Sequence, residues 1–259
     1  KTGVPHGSIL GPLLFNIYMN DIFLFMPSYS MISYADDNTT FAINKDFTSL
    51  MNTLVDNTSI MLEWFKLNEM KSNTDKCQLI VANNAITQVN IGNDIIHGNT
   101  SVKLLGITID NELKFTKHVT NLCNKASQKL HALARVSTYI NSFKLRILMK
   151  SFIDSQFNYC PLIWMFHNRT LNNRINKLHE RALRLAFKNP NLSFQELLNK
   201  DNSFMIHERN LQRLAIEMFK IKNKLSPSIL SEVFPIQNPS YDLRSGKSWI
   251  TKNIRSTYY

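Results

Sequence analysis

Two adjacent carboxylates, Asp36 and Asp37, stand between two short segments of apolar and β-branched residues. Asp and Asn favour turns and are poor strand formers, so residues 31–43 are predicted to form a β-hairpin with both carboxylates at its tip. Adjacent carboxylates repel each other unless cations neutralise them, and their oxygens are ligands that suit Mg²⁺. A pair of such ions can stabilise the attacking and leaving oxygens of a phosphoryl transfer. The alternative is an ordinary acidic turn, since Asp is common at turns.

The segment before the hairpin is rich in apolar residues. Glycines and a proline in residues 1–8 predict a loop. A helix is predicted from Pro12 to about Ile22, because Pro suits a first helical turn and the apolar residues recur at helical spacing. Polar residues, Gly and Pro interrupt the stretch from Ile9 to Met26, so we expect a buried helix there and no membrane span.

The segment after the hairpin changes from a helical pattern to strand patterns. Residues 47–65 predict an amphipathic helix that packs under the hairpin, with Trp64 in the core. Strands are predicted at 78–81, 89–91, 95–96 and 101–110. In the last of these, Gly106 is expected to form a bulge or a point of close approach.

The rear of the chain is basic and has helical patterns. Residues 1–112 hold 6 Lys/Arg and 11 Asp/Glu, whereas residues 113–259 hold 24 Lys/Arg and 8 Asp/Glu, a net charge of +16. An acidic front suits cations and a basic rear suits phosphates; the alternative for the rear is a set of solvated helix faces. Helices are predicted at 113–139, 143–157, 170–187, 194–198 and 206–224.

The order of these segments resembles one family of polymerases. The sequence Tyr-Ala-Asp-Asp at 34–37 is similar to the active-site signature of reverse transcriptases. The Gly-Val-Pro-His-Gly-Ser segment at 3–8 resembles the block that precedes this signature in the reverse transcriptases of non-LTR retrotransposons. The Leu-Gly pair at 105–106 and the basic helices follow in the family's order, and the chain as a whole resembles a jockey-type element. One departure is His6, where the family usually has Gln.

The resemblance implies an α+β fold. It would contain the rear part of a polymerase palm, an antiparallel sheet with packed helices, followed by an all-helical thumb and a C-terminal region. We expect the palm part at 1–112, the basic helical thumb at 113–189, and a helical C-terminal region with an irregular tail at 190–259.

The resemblance also assigns roles to individual residues. Asp36 and Asp37 would hold the metal ions, and Lys76 would complete the catalytic set beside the incoming triphosphate. Contacts to the nucleotide and the template are expected from Gly3, Pro5, His6, Gly7 and Tyr34. Leu105 and Gly106 are expected in the primer grip, which positions the primer end. The cations expected to hold the nucleic-acid backbone are Lys125, Lys129, Arg174, Lys177, Arg181 and Arg184.

The implied reaction is RNA-templated DNA synthesis. A primer 3′-hydroxyl would attack the α-phosphate of a deoxynucleoside triphosphate, with two Mg²⁺ or Mn²⁺ ions in the complete enzyme. The implied partners are an RNA template, a DNA primer and the RNA–DNA hybrid, and no membrane. The family has a third metal-binding Asp upstream of the loop at 3–8. We therefore expect a piece of a longer reading frame that is inactive alone.

Two other functions stay open at this stage. One is a non-catalytic nucleic-acid-binding protein derived from the element, which the basic rear favours. The other is a decayed copy without function. Three widely spaced cysteines and the lack of a visible signal peptide favour an intracellular protein. The resemblance implies the nucleus, at the site of integration, if the parent element is active.

Overall fold

A computed structural model describes residues 7–28, 30–84, 88–92, 94–234, 236–237 and 248–249. The chain divides into two compact units, Lys1–Val102 and Lys103–Tyr259. Helices alternate with small two-stranded sheets, which confirms the predicted α+β mixture. None of the helices within the described ranges is both long and apolar enough to span a membrane.

The first unit holds the carboxylate hairpin. Its elements are α1 (Gly11–Met19), α2 (Ile22–Phe25), β1 (Met31–Tyr34), β2 (Asp37–Thr40), α3 (Phe47–Leu67), a 3-10 helix (Thr74–Lys76), β3 (Gln88–Ile91) and β4 (Asp94–His97). Strands β1 and β2 pair antiparallel, with Met31 opposite Thr40 and Tyr34 opposite Asp37. Strands β3 and β4 form a second antiparallel pair. The predicted carboxylate hairpin and the strands predicted at 89–91 and 95–96 are therefore confirmed.

A compact apolar core supports the base of this hairpin. Its buried residues come from α1, α2, β1 and α3, and they are Met19, Ile22, Met26, Met31, Met61, Trp64 and Phe65. Helix α3 begins where the Asp46 carboxylate accepts a hydrogen bond from the Ser49 backbone N–H at 2.7 Å. Its burial confirms the prediction that Trp64 is a core residue.

The helix predicted from Pro12 to about Ile22 is confirmed as α1, which ends earlier at Met19, but the expected burial of the stretch from Ile9 to Met26 is wrong. The chain forms two short helices, α1 and α2, which are separated at Asn20 and Asp21. Only one side of them touches the core. The exposed apolar residues of this stretch are Ile9, Leu10, Leu13, Leu14, Ile17, Tyr18, Phe23, Leu24 and Phe25. Apolar composition predicted burial, but the described part of this unit covers only one helix face.

Two strand predictions also need correction. The segment predicted as a strand at 78–81 forms only an isolated parallel bridge between Leu79 and Gly98. The segment at 101–110 is two strands, β5 (Ser101–Leu104) and β6 (Ile107–Asp110), and not one bulged strand. Leu105 and Gly106 both adopt left-handed backbone conformations, with φ of 45° and 87°, and this reverses the chain. The division between the two units falls within β5, so we describe the β5–β6 turn with the second unit.

The second unit is mainly helical. After β6 come α4 (Thr116–Val136), a 3-10 helix (Ser137–Tyr139), α5 (Ser142–Phe152), a 3-10 helix (Asp154–Phe157), α6 (Pro161–Trp164), α7 (Arg169–Phe187), α8 (Phe194–Asp201), α9 (Ile206–Lys222), α10 (Ser228–Val233), β7 (Ile236–Gln237) and β8 (Ser248–Trp249). The five predicted helices are confirmed, although the second ends at Phe152 and a separate 3-10 helix follows it.

Helices α4 and α7 form the centre of the second unit's core. The apolar stripe of α4 includes Cys123 and Ala126, which are fully buried, and α7 contributes Leu183 and Ala182 to the same cluster. Ala126 and Ala182 are both buried in this cluster, and α4 and α7 pack against each other. Their partly exposed faces therefore form the two walls of a groove, which is described below.

Candidate functional site

The turn of the first hairpin carries the two acidic side chains. Ala35 and Asp36 form the two-residue turn, and Ala35 is left-handed with φ of 52°. Asp37 is the first residue of β2, opposite Tyr34. All four residues are exposed. The Asn38 side-chain amide donates to the backbone carbonyl of Asp36 at 3.5 Å. The hairpin therefore presents adjacent carboxylates to solvent on a short, regular support.

Contacts at the base of the hairpin fix its position on α3. The Phe41 backbone N–H donates to the Ser30 carbonyl at 2.9 Å, which continues the ladder beyond β1 and β2. The hydroxyls of Thr40 and Thr58 are hydrogen-bonded at 3.0 Å, so β2 is joined to α3. These bonds lie at the opposite end of the hairpin from the carboxylates. The base is held while the tip stays accessible.

The carboxylate pair has the chemistry that a divalent cation requires. Two hard oxygen donors are adjacent and exposed, and neither forms an ion pair with a residue in the described part of the chain. Mg²⁺ and Mn²⁺ prefer such oxygen ligands. Within the described ranges, no group of three or more His, Cys, Asp or Glu residues surrounds a point where a metal could bind. Asp36 and Asp37 thus supply two candidate oxygen ligands, and no third candidate ligand joins them within the described ranges.

Two of the residues expected around the nucleotide, Gly7 and Lys76, lie in separate local settings. Gly7 is exposed with φ of 79°, and a Cβ added there would meet nothing within 4 Å. Gly3, Pro5 and His6 lie outside the described residues. Lys76 is exposed at the end of the 3-10 helix, and no contact within the described part joins it to the carboxylates.

Tyr159 contacts the turn expected to form the primer grip. Its hydroxyl donates to the Leu105 carbonyl at 2.6 Å. A Cβ added at Gly106 would lie 3.6 Å from the Tyr159 ring, which is ordinary van der Waals contact. Sequence reasoning missed this role for Tyr159. The only signal was its place two residues before Pro161, because a proline disfavours helix in the residue that precedes it.

Asp110 has a structural role at the end of β6. Its carboxylate accepts hydrogen bonds from the backbone N–H groups of Lys114 and Phe115, at 2.9 and 2.6 Å. These two bonds hold the loop that leads into α4. The carboxylate follows a strand and could be taken for a metal ligand, but it is already bonded to this loop.

The cations expected to hold the nucleic-acid backbone fall into three settings. Arg174, Lys177 and Arg181 line one cavity between α4 and α7, and Arg181 and Arg184 line a second. Arg184 is also paired with Glu180 at 2.7 Å. Lys125 and Lys129 belong to α4 but line neither cavity. The structure therefore brings together the arginines and lysine of α7, and separates them from the two lysines of α4.

A buried charge network, which sequence reasoning missed, links α7 to α9. The Arg209 guanidinium donates to the Asp154 carboxylate at 3.1 Å, and His179 lies 4.0 Å from the other carboxylate oxygen. Burial lowers the pKa of His179 to about 4, although the nearby Asp154 charge acts to raise it. The imidazole is therefore neutral near pH 7. Histidine and arginine from different helices give no periodic pattern that would reveal this contact.

A second part of the network is centred on the buried carboxylate of Asp201. The Arg146 side chain donates to this carboxylate and, at 2.5 Å, to the backbone carbonyl of Asp201. Lys150 lies 3.3 Å from the other carboxylate oxygen. These contacts join α5 to the end of α8. The charges of the second unit thus include structural pairs as well as the exposed cations of α7.

Comparisons with known proteins identify the domain that contains the carboxylate hairpin. Residues 1–109 match the family model described as "Reverse transcriptase (RNA-dependent DNA polymerase)". The "RNA-directed DNA polymerase from mobile element jockey" of Drosophila melanogaster is 27% identical over 134 residues, which cover 46% of this chain and 14% of that protein. No solved structure matches the chain significantly.

Two further relatives align with more of the chain. The protein with the same jockey name from Drosophila funebris is 24% identical over 201 residues, or 71% of this chain and 22% of the relative. The "Probable RNA-directed DNA polymerase from transposon BS" of Drosophila melanogaster is 24% identical over 228 residues, or 82% of this chain and 25% of the relative. The chain thus spans about a quarter or less of the length of these curated relatives. Residues 1–109 are the matched reverse transcriptase domain, and the chain is similar to polymerases of LINE-like, non-LTR elements.

Proposed function

We propose that this chain is part of an RNA-directed DNA polymerase and carries two of the carboxylates of its active site. The observation that carries the proposal is the hairpin at Asp36 and Asp37, whose exposed carboxylates have no ion-pair partner in the described ranges. This hairpin lies within the residues that match the reverse transcriptase family. An ordinary acidic turn would explain the two carboxylates, but it would not explain why they lie within the residues that match this family.

The chain's own groups have distinct tasks in this mechanism. Asp36 and Asp37 would hold two divalent ions, Mg²⁺ or Mn²⁺, through their carboxylate oxygens. When bound, such ions supply positive charge beside the attacking and leaving oxygens of phosphoryl transfer. Lys76 is an exposed cation, and its ammonium can screen the triphosphate or donate a proton to the leaving pyrophosphate.

Backbone and aromatic groups would position the substrates. Gly7 leaves open space where a side chain would otherwise stand, so a nucleotide or a template base can approach its backbone. The family resemblance gives the same role to Gly3, Pro5 and His6, which lie outside the described residues. The exposed ring of Tyr34 lies next to the carboxylates along the chain, and the Leu105–Gly106 turn would hold the primer end.

We assign the two kinds of local structure to a palm and a thumb. Residues 1–112 would be the rear part of the palm, 113–189 the thumb, and 190–259 a C-terminal region. The exposed cations of the thumb would hold the backbones of the RNA template, the DNA primer and their hybrid. Deoxynucleoside triphosphates would be the substrates. Nuclear action at a site of integration stays a prediction of the family resemblance.

Primer extension tests the polymerase proposal. The Drosophila melanogaster jockey polymerase would carry residues 1–109 of this chain in place of its own matching segment. We expect Mg²⁺-dependent incorporation on an RNA template, and a loss of at least about 100-fold for Asp36→Asn or Asp37→Asn, since each removes a charged ion ligand. The matched control is Asp56→Asn, an exposed carboxylate on α3.

Retained incorporation in both hairpin variants would refute the proposal, as would an equal loss for Asp56→Asn. The same assay on the 259 residues alone tests the expectation that they are inactive by themselves. Robust incorporation that Asp36→Asn abolishes would overturn that expectation while supporting the catalytic assignment.

A non-catalytic nucleic-acid-binding protein is the second candidate function. The observation that favours it is the row of exposed cations on α7, which is independent of the carboxylate hairpin. It predicts salt-sensitive, sequence-tolerant binding without polymerisation. Binding that survives Asp36→Asn with no incorporation under any condition would favour this function over the polymerase.

A further inference from the structure

Helix α9 presents an apolar face to solvent. On its inner side it packs against α6, α7 and α10, and it buries Ile206 and Ile221. On its outer side, the side chains of Leu211 and Phe219 are 43% and 62% exposed, and Ala215 is exposed between them. Residues four apart lie on one side of a helix, so these three form a continuous apolar patch. A surface helix normally carries polar residues on this side, and the patch therefore indicates a contact surface.

The outer face of α9 has the residue spacing of a helix–helix contact. Positions that alternate at three and four residues form the contact line between two packed helices. On α9 this line runs from Glu208 to Lys222, and Ala215 lies halfway between them. We call this surface the α9 stripe, and its members are Glu208, Leu211, Ala215, Met218, Phe219 and Lys222.

The two ends of the α9 stripe carry opposite charges. Glu208 lies in the first turn of α9, and Lys222 is the last residue of the helix. Within the ranges that the structure describes, neither residue forms an ion pair. One carboxylate oxygen of Glu208 accepts a hydrogen bond from the Met205 backbone N–H at 2.9 Å, and a carboxylate can also accept through its other oxygen. An acidic end and a basic end are thus both available to a partner.

A second copy of the same stripe is complementary to the first when the two helices are antiparallel. A two-fold axis at Ala215 places residues that are equally far before and after it opposite each other. Glu208 of one copy then faces the partner's Lys222, and Leu211 faces the partner's Phe219. Each of these contacts occurs twice. In a parallel pair Glu208 would face the partner's Glu208, and like charges opposed at an interface repel.

We propose that the α9 stripe is the interface of a homodimer in which two copies of α9 pack antiparallel. The helix has 17 residues and is about 25 Å long. A contact between two such helices is smaller than the standard interface of about 1,600 Å², so we expect a weak dimer with a dissociation constant on the order of 10 μM. The proposal involves neither the carboxylate hairpin nor the cations of α7, so it goes beyond the proposed function.

Sedimentation velocity of the full 259-residue chain, without nucleic acid, tests for the dimer. Over about 1 to 200 μM, the average mass should rise from the 30.0 kDa of one chain toward twice that value. Phe219→Ser removes the largest apolar side chain of the stripe and should weaken the dimer at least about tenfold. The matched control is Phe143→Ser on α5, which removes a phenylalanine that is also exposed and should change the affinity less than about threefold.

Exchange of charges tests the antiparallel pairing. Lys222→Glu places a second carboxylate opposite Glu208, and Glu208→Lys places a second ammonium opposite Lys222. Each variant alone should therefore dimerise at least about tenfold more weakly. An equimolar mixture of the two should form a heterodimer, because the carboxylates of one chain then face the ammonium groups of the other. Lys144→Glu, an equal change of charge at an exposed position of α5, is the control and should leave the dimer unchanged.

The two charge variants differ in their effect on the helix itself. Glu208→Lys also removes the hydrogen bond from Met205, so circular dichroism and thermal unfolding must show that this variant is folded. Lys222→Glu keeps that bond. Its weaker dimerisation therefore tests the interface even if the other variant is unstable.

A disulfide at the two-fold axis gives a second measurement. Cys77 and Cys160 are exposed, so both are first replaced by serine. In that background Ala215→Cys should give a covalent dimer on mild oxidation with diamide, because position 215 of one copy faces position 215 of the other. The matched control is Gln195→Cys, an exposed position on α8, which should give far less covalent dimer.

Four results would overturn the homodimer. A chain that stays monomeric throughout the concentration range would show that the stripe is free or is covered by something other than a second copy. A dimer that Phe219→Ser and Phe143→Ser weaken equally would place the interface elsewhere. A dimer that forms only when nucleic acid is added would show that the nucleic acid joins the copies. Folded charge variants that fail to associate when mixed would refute the antiparallel pairing.

Discussion

The buried ion pair between Arg209 and Asp154 makes a measurable contribution to the free energy of unfolding of the second unit. The guanidinium lies 3.1 Å from a carboxylate oxygen of Asp154, and the two side chains are 22% and 7% exposed. Removal of one partner from a buried pair leaves the other charge uncompensated, which costs about 3–5 kcal/mol. Because Arg209 keeps some exposure, we expect Arg209→Met to lower the free energy of unfolding by about 3 kcal/mol, at the lower end of this range.

Hydrogen exchange with mass spectrometry, followed across a denaturant series, measures this energy on peptides from α7 and α9. The matched control is Arg213→Met, one turn further along α9, where the guanidinium donates to Asn158 at 2.9 Å on the surface. Its expected cost is about 1 kcal/mol or less. The double variant of Arg209→Met with Asp154→Asn should recover much of the loss. Equal losses for the two arginine variants would refute the reasoning, because burial would then not determine the cost.

Three further predictions concern single residues. Burial holds the pKa of His179 near 4, so the unfolded chain, with its ordinary pKa of about 6.5, takes up the proton first as the pH falls. Stability should therefore be complete above pH ~6.5 and fall by about 3 kcal/mol toward pH ~4, and His179→Leu should flatten this part of the unfolding profile. Tyr159→Phe removes the bond to Leu105 and should speed amide exchange in the β5–β6 hairpin about fivefold, or about 1 kcal/mol; an unchanged rate would contradict the contact. Gly106→Ala places a side chain at φ of 87° and should cost about 1 kcal/mol in a thermal unfolding measurement, whereas no change would show that the turn relaxes.

The local elements were the part of the fold that sequence patterns could predict. The carboxylate hairpin was predictable because turn-forming residues separate two β-prone segments, and α7 because its apolar stripe has helical spacing. The turn at Leu105 was not, since a left-handed leucine is uncommon and alternation continues on both sides of it. Periodicity also does not predict which side of α1 is buried, because that depends on the tertiary neighbours of the helix.

The two candidate sites also differ in how far the sequence alone predicts them. The carboxylates were found because adjacent residues carry the chemistry, so no tertiary information was needed. The groove between α4 and α7 depends on which cations share a helix face and which helix packs beside it. Lys125 and Arg181 look equivalent in the sequence, yet only Arg181 lines the groove. The contact from Tyr159 to Leu105 joins residues 54 positions apart and had no local pattern.

The central claim is that Asp36 and Asp37 bind a divalent cation, and paramagnetic broadening by Mn²⁺ tests it most directly. Ala35 lies between Tyr34 and Asp36 at the exposed turn, so its methyl group reports on an ion held by the two carboxylates. In a chain with labelled alanine methyls, we predict that millimolar Mn²⁺ broadens the Ala35 resonance and leaves that of the buried Ala182 sharp. The double variant of Asp36→Asn with Asp37→Asn should abolish the broadening. Broadening that persists in this variant, or an Ala35 signal that Mn²⁺ does not affect, would contradict the claim.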